Sequence, residues 1–295
     1  MKLTDISTIR SLLGEENTSF KKKYGQNFLT NERIVRAIAE SSIPDGVPGA
    51  ECGILEIGPG IGVLTCELAS IAKKVVSIEI DSSLIPILDK TLSEFDNVTV
   101  INRDVLKTDL FAVIKEHFSD CAHVAAAANL PYYITTPIIM TLLESRLPLE
   151  SITVMVQKEV ADRLCAPPGD EAYGAVTASV SYYASVTRLM TVGAGNFVPA
   201  PKVDSAVIKF VPHRQPPVRV NDEKTFFAVI KAAFEQRRKT LPNALAPAFA
   251  HIPKSRISEI VESVGFDARV RGEAVGIEGF AKIADALLAE GGKNN

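Results

Sequence analysis

Between residues 53 and 210 the chain repeatedly alternates short apolar runs with longer segments whose apolar residues recur at helical spacing. This alternation is typical of parallel strands joined by crossover helices, and it predicts an α/β fold. The predicted strands are residues 53–57, 75–80, 98–101, 123–128, 152–157, 185–192 and 206–211. The predicted helices between the earlier strands are residues 64–68, 84–92, 110–118 and 137–143. The last two strands are close enough in sequence to be antiparallel neighbours.

A proline-rich segment at residues 211–217, VPHRQPP, can continue neither a helix nor a sheet ladder. Beyond it, residues 223–235, 255–264 and 279–288 have helical periodicity without a comparable strand pattern. We therefore predict two domains. Residues 1–212 form the sheet domain, and residues 213–295 form a small all-helical domain.

Charge and cysteine content limit the partners and metal sites that this protein can have. The net charge is −3 with a pI near 5.9, so a nucleic-acid partner must be held by local basic patches. Residues 213–295 carry 13 Lys and Arg against 10 Asp and Glu, so the basic excess is C-terminal. The four cysteines have neither zinc-site nor redox-motif spacing. Without a signal-like start or an apolar run of about 18 residues, we expect a cytoplasmic protein with no membrane partner and no metal.

The first predicted strand runs into Gly58-Pro59-Gly60-Ile61-Gly62. Glycines at alternate positions allow a ligand to approach the backbone closely. A dinucleotide fingerprint would need glycine where Val63 stands, so the pattern argues against NAD. Taken alone, the motif fits a ligand-binding turn and a plain strand-to-helix turn about equally well.

Acidic residues follow the next two strands. Glu79 ends the second predicted strand, where a carboxylate can accept hydrogen bonds from both hydroxyls of a ribose. Asp104 follows the third, where it can accept from an adenine amino group. Carboxyl ends of parallel strands meet at one edge of a sheet, so the glycine turn, Glu79 and Asp104 together indicate a nucleoside cofactor site.

The fourth strand leads into Asn129-Leu130-Pro131-Tyr132-Tyr133. Methylating an exocyclic purine amine requires hydrogen-bond acceptors that keep its N–H groups in place while the nitrogen becomes tetrahedral. The Asn129 side-chain oxygen and the Leu130 carbonyl, in a turn shaped by Pro131, suit that task, and Tyr132 can stack on the base. The alternative is that Asn129 caps a helix and the tyrosines pack in the core. The cofactor-type strand ends before this motif favour the catalytic interpretation.

These motifs resemble those of the small-subunit ribosomal RNA adenine dimethyltransferases, the family whose loss confers kasugamycin resistance. The resemblance extends from about residue 22 to residue 288. It is carried by residues 23–29 (KYGQNFL), 56–60 (EIGPG), 129–133 (NLPYY), 157–160 (QKEV), 197–205 (FVPAPKVDS) and 233–241 (AFEQRRKTL). It implies a Rossmann-like seven-stranded S-adenosylmethionine-dependent methyltransferase sheet with a small C-terminal all-helical domain.

The resemblance also implies roles for individual residues. The cofactor-binding residues would be Gln26, Asn27, Leu29, Gly58, Gly60, Glu79, Asp104 and Asn129. The catalytic residues would be Asn129, Leu130, Pro131, Tyr132 and Phe197. In this scheme Phe197 stacks on the target adenine opposite Tyr132.

The implied reaction is dimethylation at N6 of two adjacent adenosines in a hairpin near the 3′ end of small-subunit rRNA. The partner would be a partly assembled 30S-type particle, and we expect the protein to act as a monomer. The candidate RNA-binding residues are Lys22, Lys23, Arg237, Arg238 and Lys239. Solvated surface charge is the ordinary alternative for such runs.

Two other functions fit parts of the pattern. One is a large-subunit rRNA resistance methylase, which would share the cofactor core but not the stretch at residues 233–239. The other is a non-catalytic assembly or transcription factor that uses the same fold. Two local departures concern structure only. The strand at residues 123–128 contains four consecutive alanines, and Pro242 is expected to mark a helix start.

Overall fold

The computed structural model describes residues 1–16 and 26–291. Lys22 and Lys23 lie outside these residues. The chain divides into two compact units. The first comprises Met1–Ala161 and Val186–Pro212, and the second comprises Asp162–Ser185 together with the chain from His213 onward.

The described strands follow the predicted order. They are β1 (Phe28–Leu29), β2 (Cys52–Ile57), β3 (Lys74–Glu79), β4 (Val98–Asn102), β5 (His123–Asn129), β6 (Ile152–Gln157), β7 (Ala184–Val192), β8 (Phe197–Val198) and β9 (Ser205–Pro212). All seven predicted strands are confirmed, and their ends differ from the prediction by at most one residue. The sequence pattern did not predict the short strands β1 and β8.

Seven of the strands form one sheet in the order β4-β3-β2-β5-β6-β9-β7. Pairing is parallel from β4 through β6, and β9 runs antiparallel to β6. The chain moves outward from β2 to β3 and β4 and then returns to β5 on the other side of β2. The order therefore reverses between β2 and β5, and open α/β sheets bind ligands at such a point, beyond the carboxyl ends of the strands.

Burial along the strands explains their positions. Every residue of β2 is buried, as expected for a central parallel strand covered on both faces. The alanines of β5 are buried too, beside β2 and β6. In contrast, exposed residues recur at every second position of β7, which lies at the sheet edge with one face open.

Helices in the first unit surround the sheet. They are α1 (Ile6–Glu15), α2 (Glu32–Ser42), α3 (Val63–Ile71), α4 (Ile85–Thr91), α5 (Leu110–His117) and α6 (Thr135–Glu144). The crossover helices α3 to α6 confirm the predicted ones. The helices α1 and α2 were not predicted, although the side chains of Asp5 and Asn31 cap their N-termini, which is a recognisable start signal.

The remaining helices belong wholly or partly to the second unit. They are α7 (Lys158–Leu164), α8 (Ala175–Tyr183), α9 (Glu223–Glu235), α10 (Leu241–Leu245), α11 (Lys254–Ser263) and α12 (Ile277–Gly291). The predicted C-terminal helices correspond to α9, α11 and α12. Pro242 lies in the first turn of α10, as expected from its fixed φ.

The second unit differs from the predicted helical domain in one respect. The prediction assigned residues 162–185 to the first domain, but this segment packs with the C-terminal helices. Tyr173 and Tyr182 are buried in the same apolar core as Phe226 and Phe280. The helix α8 was not predicted from the sequence, and local periodicity cannot show which element a distant segment packs against, so the sequence alone did not reveal this exchange.

Candidate active site

A cleft opens at the carboxyl edge of the sheet, around the point where the strand order reverses. Its walls come from the residues that follow β2, β3, β4 and β5, together with the segment around β1. Among the predicted site residues, the cleft is lined by Gln26, Asn27, Leu29, Gly58, Gly60, Glu79, Asp104, Asn129, Leu130, Pro131 and Tyr132. The structure therefore brings together side chains that are up to 106 positions apart in the sequence.

The glycine turn after β2 depends on glycine at three positions. Gly58, Gly60 and Gly62 have φ values of 71°, 62° and 91°, in the left-handed region that side-chain-bearing residues rarely adopt. A Cβ atom on Gly60 would also lie 2.9 Å from Cε1 of Phe28, whereas one on Gly58 would meet nothing within 4 Å. The turn thus exposes its backbone beside Gly58 and packs closely against β1 at Gly60.

Glu79 ends β3 and is held by backbone donors on both oxygens. Its Oε2 accepts from the Gly60 N–H at 3.2 Å, and its Oε1 accepts from the Asp81 N–H at 2.8 Å. Burial raises the pKa of Glu79 to about 7, against these hydrogen bonds that lower it. The carboxyl therefore titrates near neutral pH and faces the glycine turn.

Asp104 follows β4 in the same cleft. Its Oδ1 accepts from the Leu106 N–H at 3.1 Å, and its Oδ2 lies 3.8 Å from Lys107 Nζ. The side chain thus caps a short 3-10 helix while lining the cleft. A carboxylate has several acceptor positions, so capping leaves capacity for an adenine amino group.

The segment before β1 is tied across the cleft by two side-chain hydrogen bonds. Gln26 Nε2 donates to Asp81 Oδ2 at 3.0 Å, and Asn129 Nδ2 donates to the Asn27 carbonyl at 3.3 Å. Because its Nδ2 is used in this way, the amide of Asn129 keeps its Oδ1 as the acceptor for an amine N–H.

The turn after β5 is built by local hydrogen bonds. The Pro131 carbonyl accepts from the Ile134 N–H at 3.2 Å and from Thr135 Oγ1 at 3.1 Å. The Leu130 N–H donates to the Met155 carbonyl of β6 at 3.2 Å, which anchors the turn to the sheet. The Tyr132 hydroxyl lies 2.8 Å from Ser205 Oγ, at the start of β9.

Phe197 is the predicted site residue that the structure does not bring into the cleft. It lies in β8, which pairs with β1 so that Phe197 is opposite Leu29. Its side chain is only 5% exposed and belongs to the main apolar core of the first unit. A ring covered in this way presents no free face to a base, so in this conformation Phe197 supports the segment that carries Leu29.

The three predicted RNA-binding residues that the structure describes lie in the second unit, and they differ in their surroundings. Arg237 donates through Nη2 to the carbonyls of Glu171 and Tyr173, at 2.6 Å and 3.3 Å. Arg238 and Lys239 are exposed after the end of α9. Arg237 therefore has a structural task within its own unit, while its two neighbours present their charges to solvent.

Four residues at or near the cleft were not singled out from the sequence. Asp81 holds Gln26, Ser205 holds Tyr132, and Tyr133 lines the cleft with its ring exposed. Glu56 is 1% exposed and accepts from Thr65 Oγ1 at 2.7 Å and from Ser77 Oγ at 2.6 Å. An acid inside the apolar run of β2 was a visible signal for Glu56, whereas Asp81 and Ser205 hold residues that are distant from them in sequence.

The cleft residues fit S-adenosylmethionine in their chemistry. A carboxyl beside a glycine turn suits ribose hydroxyls, an aspartate on the next strand suits an amino group, and apolar residues such as Ile57 and Val63 line the walls. The residues would hold the nucleoside at β3 and β4 and the methionine end at Gly58 and Gly60. In the part of the chain that the structure describes, no cluster of three or more candidate metal ligands occurs.

Comparison with known proteins agrees with this arrangement. The family model described as ribosomal RNA adenine dimethylase matches residues 17–273. The chain is 49% identical to ribosomal RNA small subunit methyltransferase A of Geobacillus thermodenitrificans, over 96% of this chain and 97% of the relative. The protein of the same name from Bacillus mycoides is 46% identical, over 97% of this chain and 98% of the relative.

Two solved structures are similar over most of the chain. A dimethyladenosine transferase from Plasmodium falciparum superposes with a TM-score of 0.72 and 27% identity, covering 90% of this chain and 98% of that one. The 23S rRNA methyltransferase ErmE superposes with a TM-score of 0.66 and 25% identity, covering 88% of this chain and 99% of that one.

Proposed function

Because this chain belongs to the ribosomal RNA adenine dimethylase family, we propose that the cleft at the carboxyl edge of its sheet is where it methylates adenosine. It is an S-adenosylmethionine-dependent enzyme that dimethylates N6 of two adjacent adenosines in small-subunit rRNA. The observation that supports the location is the position of Asn129. This residue ends β5 and hydrogen-bonds to the Asn27 carbonyl, in the cleft that also contains the glycine turn and Glu79.

Asn129 and Leu130 hold the target amine. S-adenosylmethionine, when bound, supplies an electrophilic methyl group. The N6 lone pair of adenine is delocalised into the ring, so it becomes nucleophilic only when the amine is pyramidal. Asn129 Oδ1 and the Leu130 carbonyl would accept hydrogen bonds from the amine N–H groups and orient the lone pair. The bond between the methyl group and its sulfur would break as the N–C bond forms, and the nitrogen would lose a proton to water. Positioning supplies most of the rate acceleration, so no strong base is needed.

Tyr132 supports the adenine ring. Its hydroxyl is held by Ser205, and its side chain is half-buried at the cleft wall. A ring fixed in this way can stack on a base without losing much side-chain freedom on binding. Phe197 would contribute a second stacking face only if β8 moved away from β1.

The RNA partner is a partly assembled small-subunit particle, approached by a monomer in the cytoplasm. Arg238 and Lys239 supply exposed positive charge in the second unit, and Lys22 and Lys23 add positive charge to the sequence just before Gln26 and Asn27. Such charges bind phosphates by electrostatic attraction, which weakens as the salt concentration rises and does not depend on the nucleotide sequence. This fits a chain whose overall charge is negative but whose C-terminal part is basic.

A matched pair of asparagine variants tests the location. Asn129→Ala removes the proposed acceptor, whereas Asn97→Ala removes an asparagine that hydrogen-bonds the carbonyls of Ala69 and Ala72 away from the cleft. Each protein is incubated with labelled S-adenosylmethionine and small subunits that lack the modification, and dimethyladenosine is quantified by mass spectrometry. Large subunits serve as the parallel substrate.

We expect dimethyladenosine only on small subunits, lost by at least a hundredfold in Asn129→Ala and retained in Asn97→Ala. Retained transfer in Asn129→Ala would refute the assignment of the site. Particle binding without transfer by the wild-type protein would instead make it a scaffold factor, and signal only on large subunits would place it with the resistance methylases.

A further inference from the structure

Two adjacent tyrosines in the turn after β5 have opposite environments. Tyr132 is half-buried with its hydroxyl held by Ser205, whereas Tyr133 is 60% exposed at the cleft. Among the aromatic residues that the structure describes, only Tyr133 and Phe111 are exposed to this extent. Phe111, at 59%, is in the first turn of α5 and does not line the cleft.

The substrate suggests a function for the exposed ring of Tyr133 at the cleft. The enzyme modifies two neighbouring adenosines, and one cleft accepts one base at a time. When one adenine is turned into the cleft, its neighbour loses a stacking partner. Proteins that hold unstacked bases commonly replace that partner with an aromatic side chain.

We infer that Tyr133 is a second base-stacking surface, which holds the purine adjacent to the adenine being methylated. This inference rests on the proposed location of the active site at Asn129. Tyr132 and Tyr133 are consecutive, so their Cα atoms are about 3.8 Å apart. Two rings this close can serve two consecutive nucleotides, one within the cleft and one at its mouth.

The other exposed apolar side chain of the described cleft is not placed to stack on the neighbouring base. Ile80 is also exposed there, but it follows β3 beside Glu79, at the proposed nucleoside end of the cofactor site. Since β2 lies between β3 and β5, Ile80 is on the other side of the reversal point from Asn129. Tyr133 alone among the exposed apolar side chains of the described cleft follows the strand that carries Asn129.

The test compares three variants of the full-length protein. Tyr133→Leu removes the π face but keeps an apolar side chain, Tyr133→Phe keeps the ring, and Phe111→Leu removes an equally exposed ring away from the cleft. For each, kcat and KM are measured with small subunits that lack the modification, and methylation is resolved at each adenosine. Affinity for S-adenosylhomocysteine and the unfolding temperature are measured in parallel.

We expect Tyr133→Leu to raise KM for the small subunit about tenfold, with kcat within threefold of wild type. Tyr133→Phe and Phe111→Leu should stay within twofold of wild type, and all three variants should keep their affinity for S-adenosylhomocysteine.

Three results would overturn the inference. They are an unchanged KM in Tyr133→Leu, an equal rise in Tyr133→Phe, and a loss of S-adenosylhomocysteine affinity that accounts for the rise. Failure of the proposed function is distinguishable, because the wild-type protein would then leave both adenosines unmethylated.

Discussion

The hydroxyl oxygen of Tyr132 lies 2.8 Å from Oγ of Ser205, and this hydrogen bond joins segments 73 positions apart. Ser205 is fully buried at the start of β9, and β9 pairs with β6 beside the strand that carries Asn129. The ring proposed to stack on the target adenine is therefore oriented from the sheet itself. Burial raises the pKa of the Tyr132 hydroxyl, so it stays protonated and available as a donor.

Breaking this hydrogen bond should lower turnover without abolishing it. We expect Tyr132→Phe and Ser205→Ala each to reduce kcat roughly three- to tenfold, because a net hydrogen bond contributes about 1 kcal/mol. The double variant should be little worse than the poorer single variant, since both changes remove one interaction. Tyr173→Phe is the control, because that hydroxyl donates to the Val275 carbonyl in the second unit. Additive losses in the double variant would show that the two residues act separately.

Cofactor affinity should depend on pH through Glu79. Burial raises the pKa of this carboxyl to about 7, and the ionised form is the one proposed to accept hydrogen bonds from both ribose hydroxyls. Affinity for S-adenosylhomocysteine should therefore fall about tenfold between pH 8 and pH 6 as Glu79 becomes protonated. Calorimetric titration at several pH values measures this. Glu79→Gln should bind more weakly with a flat profile, and a Glu79→Gln profile as steep as that of wild type would contradict the assignment.

Stability should depend on pH through Glu56. Burial raises the pKa of this carboxyl to about 7 from an ordinary value of 4.5. The folded state therefore binds a proton more tightly than the unfolded chain does, so this group's contribution to stability is lost as pH rises from about 4.5 to 7. Glu56→Gln removes the buried charge. The unfolding free energy of Glu56→Gln minus that of the wild type should therefore be roughly 2–3 kcal/mol larger at pH 8 than at pH 5.

Denaturant unfolding at the two pH values measures this difference. Glu51→Gln is the control, because this exposed carboxyl precedes the same strand. A Glu56→Gln effect that is equal at both pH values would mean that the carboxyl is not protonated on folding. Measuring S-adenosylhomocysteine affinity in the same variant separates Glu56 from Glu79, since Glu56→Gln should retain the pH dependence of binding.

Adjacent arginines in the second unit should behave differently when replaced. Arg237 hydrogen-bonds the carbonyls of Glu171 and Tyr173, so Arg237→Ala should lower the unfolding temperature. Arg238 is exposed, so Arg238→Ala should leave stability within about 0.5 kcal/mol of wild type. Its affinity for small subunits should fall, and the slope of log affinity against log salt should decrease by about 1. The proposed phosphate contact of Arg238 would be refuted by an unchanged salt slope.

The sequence predicted the strands well because their signal is local. A fully buried strand such as β2 is a continuous apolar run, and an edge strand such as β7 alternates, so each pattern can be recognised without its neighbours. The helices α1 and α2 were missed although Asp5 and Asn31 are ordinary capping residues. Both helices lie before the first predicted strand, outside the alternation of strands and helices by which the crossover helices were recognised.

Carboxyl-edge geometry explains why most of the site could be placed in advance. The ends of parallel strands must meet at one edge of the sheet, so the glycine turn, Glu79, Asp104 and Asn129 could be brought together from sequence order alone. Phe197 lacks such a constraint. Its position depends on the pairing of β8 with β1, two strands of two residues each, which have no recognisable period.

The sequence by itself therefore determined the strands of the main sheet, the strands that the glycine turn, Glu79, Asp104 and Asn129 follow, and the type of reaction, because these depend on local periodicity and residue chemistry. Only the tertiary structure decided which side chains are covered. It buried Phe197 against β1, joined Tyr132 to Ser205, used Arg237 within its own unit and packed residues 162–185 with the C-terminal helices. These outcomes depend on contacts between segments far apart in the chain, and local patterns carry no record of such partners.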